Sequence, residues 1–228
     1  MTVDFRKNVA KVWSKVSKLD RATIFGEDNP KWMPVKNPDH ARLAAAGWVG
    51  AHYRPGGLVI IAANPGGGGD NYSATDNDKN LYDTFRSLRS AQSEDDWVAA
   101  FEKMSDEYIG QTTGHSIWLP ISRILESADR GADQCAFLNV IPFRTKGDGW
   151  PGVQVIQRAA EKALNLQLHA LNPGIIVLLG KKACDVYDRH LGHFSAKKFC
   201  VPRQRGDRSI PLDAVKELER LRTYCMQA

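Results

Sequence analysis

Many of the features that assign a chain to a familiar chemistry are missing here. Only four cysteines occur in 228 residues, Cys135, Cys184, Cys200 and Cys225. They are scattered, with no C-x-x-C pair, so neither a zinc site nor a disulfide framework is indicated, and no metal or cofactor is expected. No apolar run approaches the roughly 18 residues of a membrane span. The opening Met1-Thr2-Val3-Asp4-Phe5-Arg6-Lys7 lacks the apolar core of a secretory signal, so a cytoplasmic protein with no membrane partner is expected. There is no G-x-x-x-x-G-K-[ST], and no G-x-G-x-x-G followed by an acidic residue at the expected distance. That argues against the nucleotide-binding loops in which glycines cradle phosphates. Internal repeats and low-complexity tracts are also absent.

What is present is the balance of an ordinary globule, 43% hydrophobic and 25% charged. The length suits one domain with a sizeable core: a helical and irregular lead-in over 1–57, a core over 58–210 and a terminal helix over 211–228. A monomer is expected. The net charge of +5 is unevenly placed. Residues 1–180 balance, whereas residues 181–228 hold 11 basic side chains against 6 acidic ones. Within that stretch Lys197, Lys198, Arg203, Arg205 and Arg208 face only Asp207. A basic strip suits a nucleic-acid backbone, whose counterions it releases on binding. The alternative is a solvated surface loop.

Apolar spacing predicts an amphipathic helix over 4–18 through Phe5, Val9, Val12, Trp13 and Val16. Residues 19–57 read as irregular, with a short helix near 39–46. Strands are predicted at 58–63, 134–141, 174–179 and 197–202. Helices are predicted at about 76–88, with Asp76 or Asn77 as cap, and at 94–104, 116–128, 152–170, 181–191 and 212–224. Strands alternating with helices predict an α/β fold with a mostly parallel sheet between helical layers.

The most informative segment is Leu58-Val59-Ile60-Ile61-Ala62-Ala63-Asn64-Pro65-Gly66, which runs on into Gly67-Gly68-Gly69-Asp70. A continuous apolar run ending in a Pro/Gly break is the mark of a strand buried on both faces. In open α/β sheets ligands bind beyond the carboxyl ends of strands. Here one amide stands at that place beside glycines that allow close approach.

This arrangement resembles the first motif of the uracil-DNA glycosylase superfamily, in the Gly-x-Asn-Pro-Gly form of its mismatch-specific and single-strand-selective branches, with Ala62 where that pattern usually has Gly. Phe137-Leu138-Asn139-Val140-Ile141-Pro142 resembles the second core strand of the family. Pro173-Gly174-Ile175-Ile176-Val177-Leu178-Leu179-Gly180, followed by Lys181 and Ala183, resembles the third. The resemblance covers roughly residues 55–210 and implies a three-layer fold with a four-stranded sheet in the order 2-1-3-4. It further implies a monofunctional DNA glycosylase that flips a base out of DNA and hydrolyses its N-glycosidic bond. Branches that bind an iron–sulfur cluster through N-terminal cysteines are excluded, since no cysteine precedes Cys135.

Under this resemblance Asn64 places the attacking water, although a strand-end Asn also makes local backbone bonds. Asn139 reads the base edge, for an amide in an apolar strand needs partners; the alternative is a bond to a neighbouring loop. Tyr72 and Phe143 are candidates to stack on the base, with core packing as the alternative. Gly66 stands where the uracil-selective branch has an aromatic wall, which favours a C5-substituted pyrimidine, such as the hydroxymethylated or glucosylated cytosine of phage DNA, over uracil or mismatched thymine. Pro65, Gly67 and Lys181 join Lys197, Lys198, Pro202, Arg203, Gln204, Arg205 and Arg208 as candidate DNA contacts. The His of the last family motif is missing from Val201-Pro202-Arg203-Gln204-Arg205-Gly206. Arg203 or Arg205 as charge donor, Gln204 as duplex probe and Pro202 as backbone wedge stay open, and so does a DNA-binding module without chemistry.

Overall fold

Five strands, β1 (Trp48–Val49), β2 (Leu58–Ala62), β3 (Cys135–Asn139), β4 (Ile175–Leu179) and β5 (Lys197–Val201), form one sheet in the order β1-β3-β2-β4-β5. The structure, a computed structural model, describes residues 3–26, 30–36, 38–66, 75–203 and 211–227. Strands β2 to β5 are mutually parallel, and β1 runs antiparallel to β3.

Every residue of β2 and β3 is buried. Helices cover both faces, which is why these strands are written as unbroken apolar runs. Val59, Ile61, Ala136, Leu138, Ile176 and Leu178 face one core. There they meet α1 (Val3–Ser17), α2 (Arg21–Phe25), α4 (Asp76–Ser90), α7 (Val153–Ala159), α8 (Asn165–Leu171) and α9 (Lys181–Val186). Leu58, Ile60, Phe137, Val177, Leu179 and Phe199 face the other, under α6 (Trp118–Ala128) and α10 (Leu212–Gln227). Burying a side chain such as Ile60 or Ile61 stabilises the fold by about 1.5–3 kcal/mol. The result is a three-layer α/β architecture.

Helix α5 (Glu94–Thr113) reaches past the β1 edge, with Phe101 and Met104 in the first core and Tyr108 and Ile109 against the second. Val49 N donates to Ser105 Oγ at 3.3 Å, so α5 covers an edge that would otherwise offer unpaired backbone. The short α3 (Pro38–Ala41) sets the His40 ring flat on Tyr82 of α4, with centroids 4.1 Å apart.

The expectation of four strands in the order 2-1-3-4 is corrected to five in the order given. Trp48–Val49 lies inside the stretch read as irregular, and so does α2. Helix α5 continues to Thr113 instead of ending near 104. The long helix expected at 152–170 is α7 and α8 joined through a π-helical turn at Ala160–Leu164, and α9 passes into a similar turn at Tyr187–Leu191. The cap of α4 is Thr75 rather than Asp76 or Asn77. Its Oγ1 accepts from Asp78 N while the Asp78 carboxylate accepts from Thr75 N, a reciprocal capping box.

Candidate functional site

Because β2 to β5 are parallel, their carboxyl ends lie along one edge of the sheet. The chain passes from β2 to β3 on one side and from β4 to β5 on the other, so the order reverses between β2 and β4. Ligands of such sheets bind at a reversal of this kind, outside the carboxyl ends of the strands.

Ala62 is in register with Asn139. The ladder continues beyond both strands, with Val140 N donating to Ala62 O at 2.8 Å and Ile141 N to Ala63 O at 3.0 Å. Asn64 and Asn139 are thus carried at the ends of neighbouring strands, whose spacing is about 4.8 Å.

The orientation of the Asn64 amide follows from a chain of donors. The carbonyl of Gly149 can only accept, so it takes the single hydroxyl proton of Thr145 across 2.7 Å. Thr145 Oγ1 must then act as acceptor toward Asn64, and the group facing it at 3.0 Å is Nδ2. Pro65 O, 3.3 Å from the same Nδ2, imposes the same orientation. The Asn64 Oδ1 is therefore turned away from Thr145, and Asn64 is half-buried while Thr145 is fully buried.

Asn139 is 3% exposed. Its Nδ2 reaches Tyr108 Oη at 3.4 Å, a long bond and hence a weak one. Burial pushes the Tyr108 phenol above its ordinary range and outweighs the opposing effects of Asn139 and Arg144. The ring therefore stays neutral.

Behind the amides lies a buried ion pair, Arg144 Nη2 to Asp78 Oδ1 at 3.2 Å, with the side chains 8% and 1% exposed. Gln111 Nε2 also donates to Asp78, at 3.1 Å, and the Arg144 guanidinium sits 4.9 Å from the centre of the Tyr82 ring. One carboxylate thus joins the start of α4, the end of α5 and the loop after β3. A buried pair of this kind costs about 3–5 kcal/mol to break by removing one partner.

Sequence reasoning missed Thr145, Tyr108, Asp78 and Arg144. The only local signal was the Thr75-x-x-Asp78 spacing of a capping box, because the other contacts join residues far apart in the chain.

The remaining candidates divide. Gly66 is exposed, and a Cβ placed on it would meet no atom within 4 Å among the described residues, while Pro65 beside it is buried. Lys181 opens α9 just beyond β4 and is exposed. Gly180 N donates to Val201 O at 2.8 Å, and a Cβ at Gly180 would stand 3.7 Å from the Arg203 Cβ. Lys181, half-buried Pro202 and exposed Arg203 consequently share the carboxyl edge with the two amides.

Two expectations are corrected. Phe143 is fully buried, edge-on to Phe25 with centroids 6.2 Å apart, so core packing, the alternative to stacking on a base, is what the fold shows. Lys197 and Lys198 pair in register with Ile175 and Ile176 at the opposite, amino-terminal edge of the sheet. Four residues of strand put Lys197 about 13 Å from Val201. Lys198 is also bound to Asp188 Oδ1 at 2.5 Å, and Lys197 lies 5.8 Å from the Tyr224 ring centre. Lys197 and Lys198 therefore do not share the edge that carries Arg203. Gly67, Tyr72, Gln204, Arg205 and Arg208 lie outside the described residues.

Among the described residues, no three His, Cys, Asp or Glu side chains converge as metal ligands, and no helix is long and apolar enough to cross a membrane. No known protein-family model matches the chain, and no curated protein matches it.

Proposed function

We propose that this chain is a monofunctional DNA glycosylase of the uracil-DNA glycosylase type, which extrudes a modified pyrimidine, hydrolyses its N-glycosidic bond and leaves an abasic site. The observation that carries this reading is the pair of amides, Asn64 and Asn139, at neighbouring strand ends on the carboxyl edge of the sheet, one of them with its orientation imposed by Thr145. The parallel strands, adjacent in the order β3-β2-β4-β5, fit the fold that the three motifs imply.

As the base departs, the sugar gains oxocarbenium character and the base gains negative charge. The Asn64 Oδ1 accepts from a water and lines it up with the sugar carbon. An amide is too weak a base to take the proton early, so its contribution is orientation. Asn139 gives up its weak bond to Tyr108 for the base edge, donating to a ring carbonyl and accepting from an imide or amino group. Lys181 and Arg203 hold phosphates or face the departing anion, and Pro202 presses on the backbone. On the sequence resemblance alone, Tyr72 is the base-stacking ring and Gly67, Gln204, Arg205 and Arg208 are further DNA contacts. A single copy of the chain carries every residue invoked. A Cβ at Gly66 would meet no atom of the described residues, which favours a base with a C5 substituent, hydroxymethylated or glucosylated cytosine in particular, as in defence against modified phage DNA.

The test is a single-turnover base-release screen with DNA containing uracil, mismatched thymine, 5-hydroxymethylcytosine or its glucosylated form. The expected result is release of the C5-substituted base, slowed by about 10²-fold or more in Asn64→Ala with DNA affinity retained, because only transition-state organisation is lost. Fast release of uracil with every C5-substituted base ignored would return the chain to uracil repair. Binding without release of any base would leave a DNA-binding module. An unchanged rate in Asn64→Ala would remove that residue from the mechanism.

A further inference from the structure

Two of the scattered cysteines meet in the fold. Cys184 lies on α9 and Cys200 on β5, and both are half-buried against the same core. Cys200 is in register with Leu178 of β4, and the Cys184 Sγ lies 3.9 Å from the Leu178 carbonyl oxygen. The helix thus lays its thiol over the strand next to the one that carries Cys200. The Cys184 thiol therefore reaches the backbone of the residue paired with Cys200.

The geometry points to Cys184 and Cys200 as a reversible dithiol–disulfide site, oxidised by a peroxide and restored by a small dithiol, that ties α9 to β5. The chemical roles of the two sulfurs differ. The hydrogen bond from Cys184, helped by nearby Lys198, lowers the Cys200 thiol below its ordinary range against burial, Asp188 and Glu217. The same bond, together with burial, raises Cys184. Either sulfur can attack with the other resolving; the direction of the two shifts favours Cys200 as the nucleophile and Cys184 as the resolving thiol. Burial pushes the fully buried Cys135 thiol up to about 12, and it raises Cys225 as well.

In the first step the Cys200 thiolate attacks a peroxide oxygen. The O–O bond breaks, a sulfenic acid forms, and the released hydroxide takes up the proton that Cys200 had lost, giving water. The Cys184 sulfur then attacks the Cys200 sulfur. The S–S bond forms as the S–O bond breaks, and the departing hydroxide leaves as water with the Cys184 proton. Two thiols are oxidised by two electrons, and one hydrogen peroxide is reduced to two waters. A dithiol then reduces the disulfide by exchange, becoming a disulfide itself and restoring both protein thiols.

The experiment uses the reduced full-length chain. It is treated with an equimolar amount of hydrogen peroxide, alkylated under denaturing conditions and mapped by mass spectrometry without reductant. A peptide pair linked through Cys184 and Cys200, lost again on treatment with dithiothreitol, is expected. In Cys184→Ser, Cys200 should proceed to sulfinic acid, because nothing resolves the sulfenic acid. A brief iodoacetamide pulse on the native wild type needs no variant and should label Cys200 at least about 10-fold faster than Cys135. Absence of the Cys184–Cys200 link, or labelling of Cys200 no faster than Cys225, would overturn the assignment. These readouts concern sulfur chemistry alone, so they stand or fall separately from base release.

Discussion

Thr145 is the residue on which the Asn64 orientation rests. Thr145→Val removes the acceptor of the Asn64 Nδ2 and the donor to Gly149 O together. We expect a loss of about 1–3 kcal/mol by urea unfolding, the cost of leaving buried polar groups unpaired. Base release should slow as well, by less than in Asn64→Ala, and Thr145→Ser should restore both. A valine variant as stable and as active as wild type would dissociate Asn64 from this hydroxyl. His40 is a second residue with a measurable signature. Burial, and then Arg144 and Arg86, push its pKa below the ordinary 6.5, against smaller pulls from Asp78 and Asp39. Between 6.5 and the lower native value the unfolded chain binds the extra proton. The stability that neutral His40 contributes is therefore present above pH 6.5 and is lost as the pH falls below it. His40→Phe keeps a ring on Tyr82 without the titration, so its stability should fall less than that of wild type between about pH 7 and about pH 5. Parallel pH profiles would refute this.

At the scale of elements, three of the four parallel strands were legible as short apolar runs closed by a break: Asn-Pro-Gly after β2, a proline after β3 and Gly180 after β4. Strand β5 opens on Lys197-Lys198 and was legible from Phe199-Cys200-Val201 and the Pro202 that follows. β1 was not legible, since a pair of apolar residues has no period. Its signal lies in the glycines on either side. Gly47 has φ +80, and a Cβ there would stand 2.0 Å from Phe137 O; at Gly50 a Cβ would stand 2.3 Å from the Asp133 backbone. Only glycine lets this edge strand lie so close to β3. Gly47→Ala should therefore destabilise the fold by roughly 3 kcal/mol or more in urea unfolding, since both the left-handed backbone and the contact are violated. A loss below about 1 kcal/mol, the ordinary scale of a point mutation, would show that the edge can move aside. The buried network escaped the sequence reading for a different reason. The Asp78–Arg144 pair spans 66 positions, and nothing local in either residue announces the other.

For the whole molecule, the direction of β5 decides which charges can share a partner. Lys197 and Lys198 sit at one end of that strand, and Arg203 lies beyond the other with Lys181 close by. If DNA lies along the carboxyl edge, neutralising Lys181 or Arg203 should reduce the slope of log affinity against log salt by about one unit each. Lys197→Ala with Lys198→Ala should leave the slope unchanged. The reverse pattern would place the DNA on the opposite edge. The sequence showed where charge accumulates but not that a strand divides it, because proximity in the chain is not proximity along a sheet. The register between Ala62 and Asn139 has a consequence for inheritance. The span between the two amides is set by backbone pairing, whose nearest alternative, a one-residue slip, would turn the slipped strand inside out. Core side chains can be exchanged over many generations, losing or regaining stability by degrees, while that span stays constant. Divergence of the surrounding sequence is thus compatible with an unchanged site, and the two asparagines would stay recognisable after much of the rest had drifted.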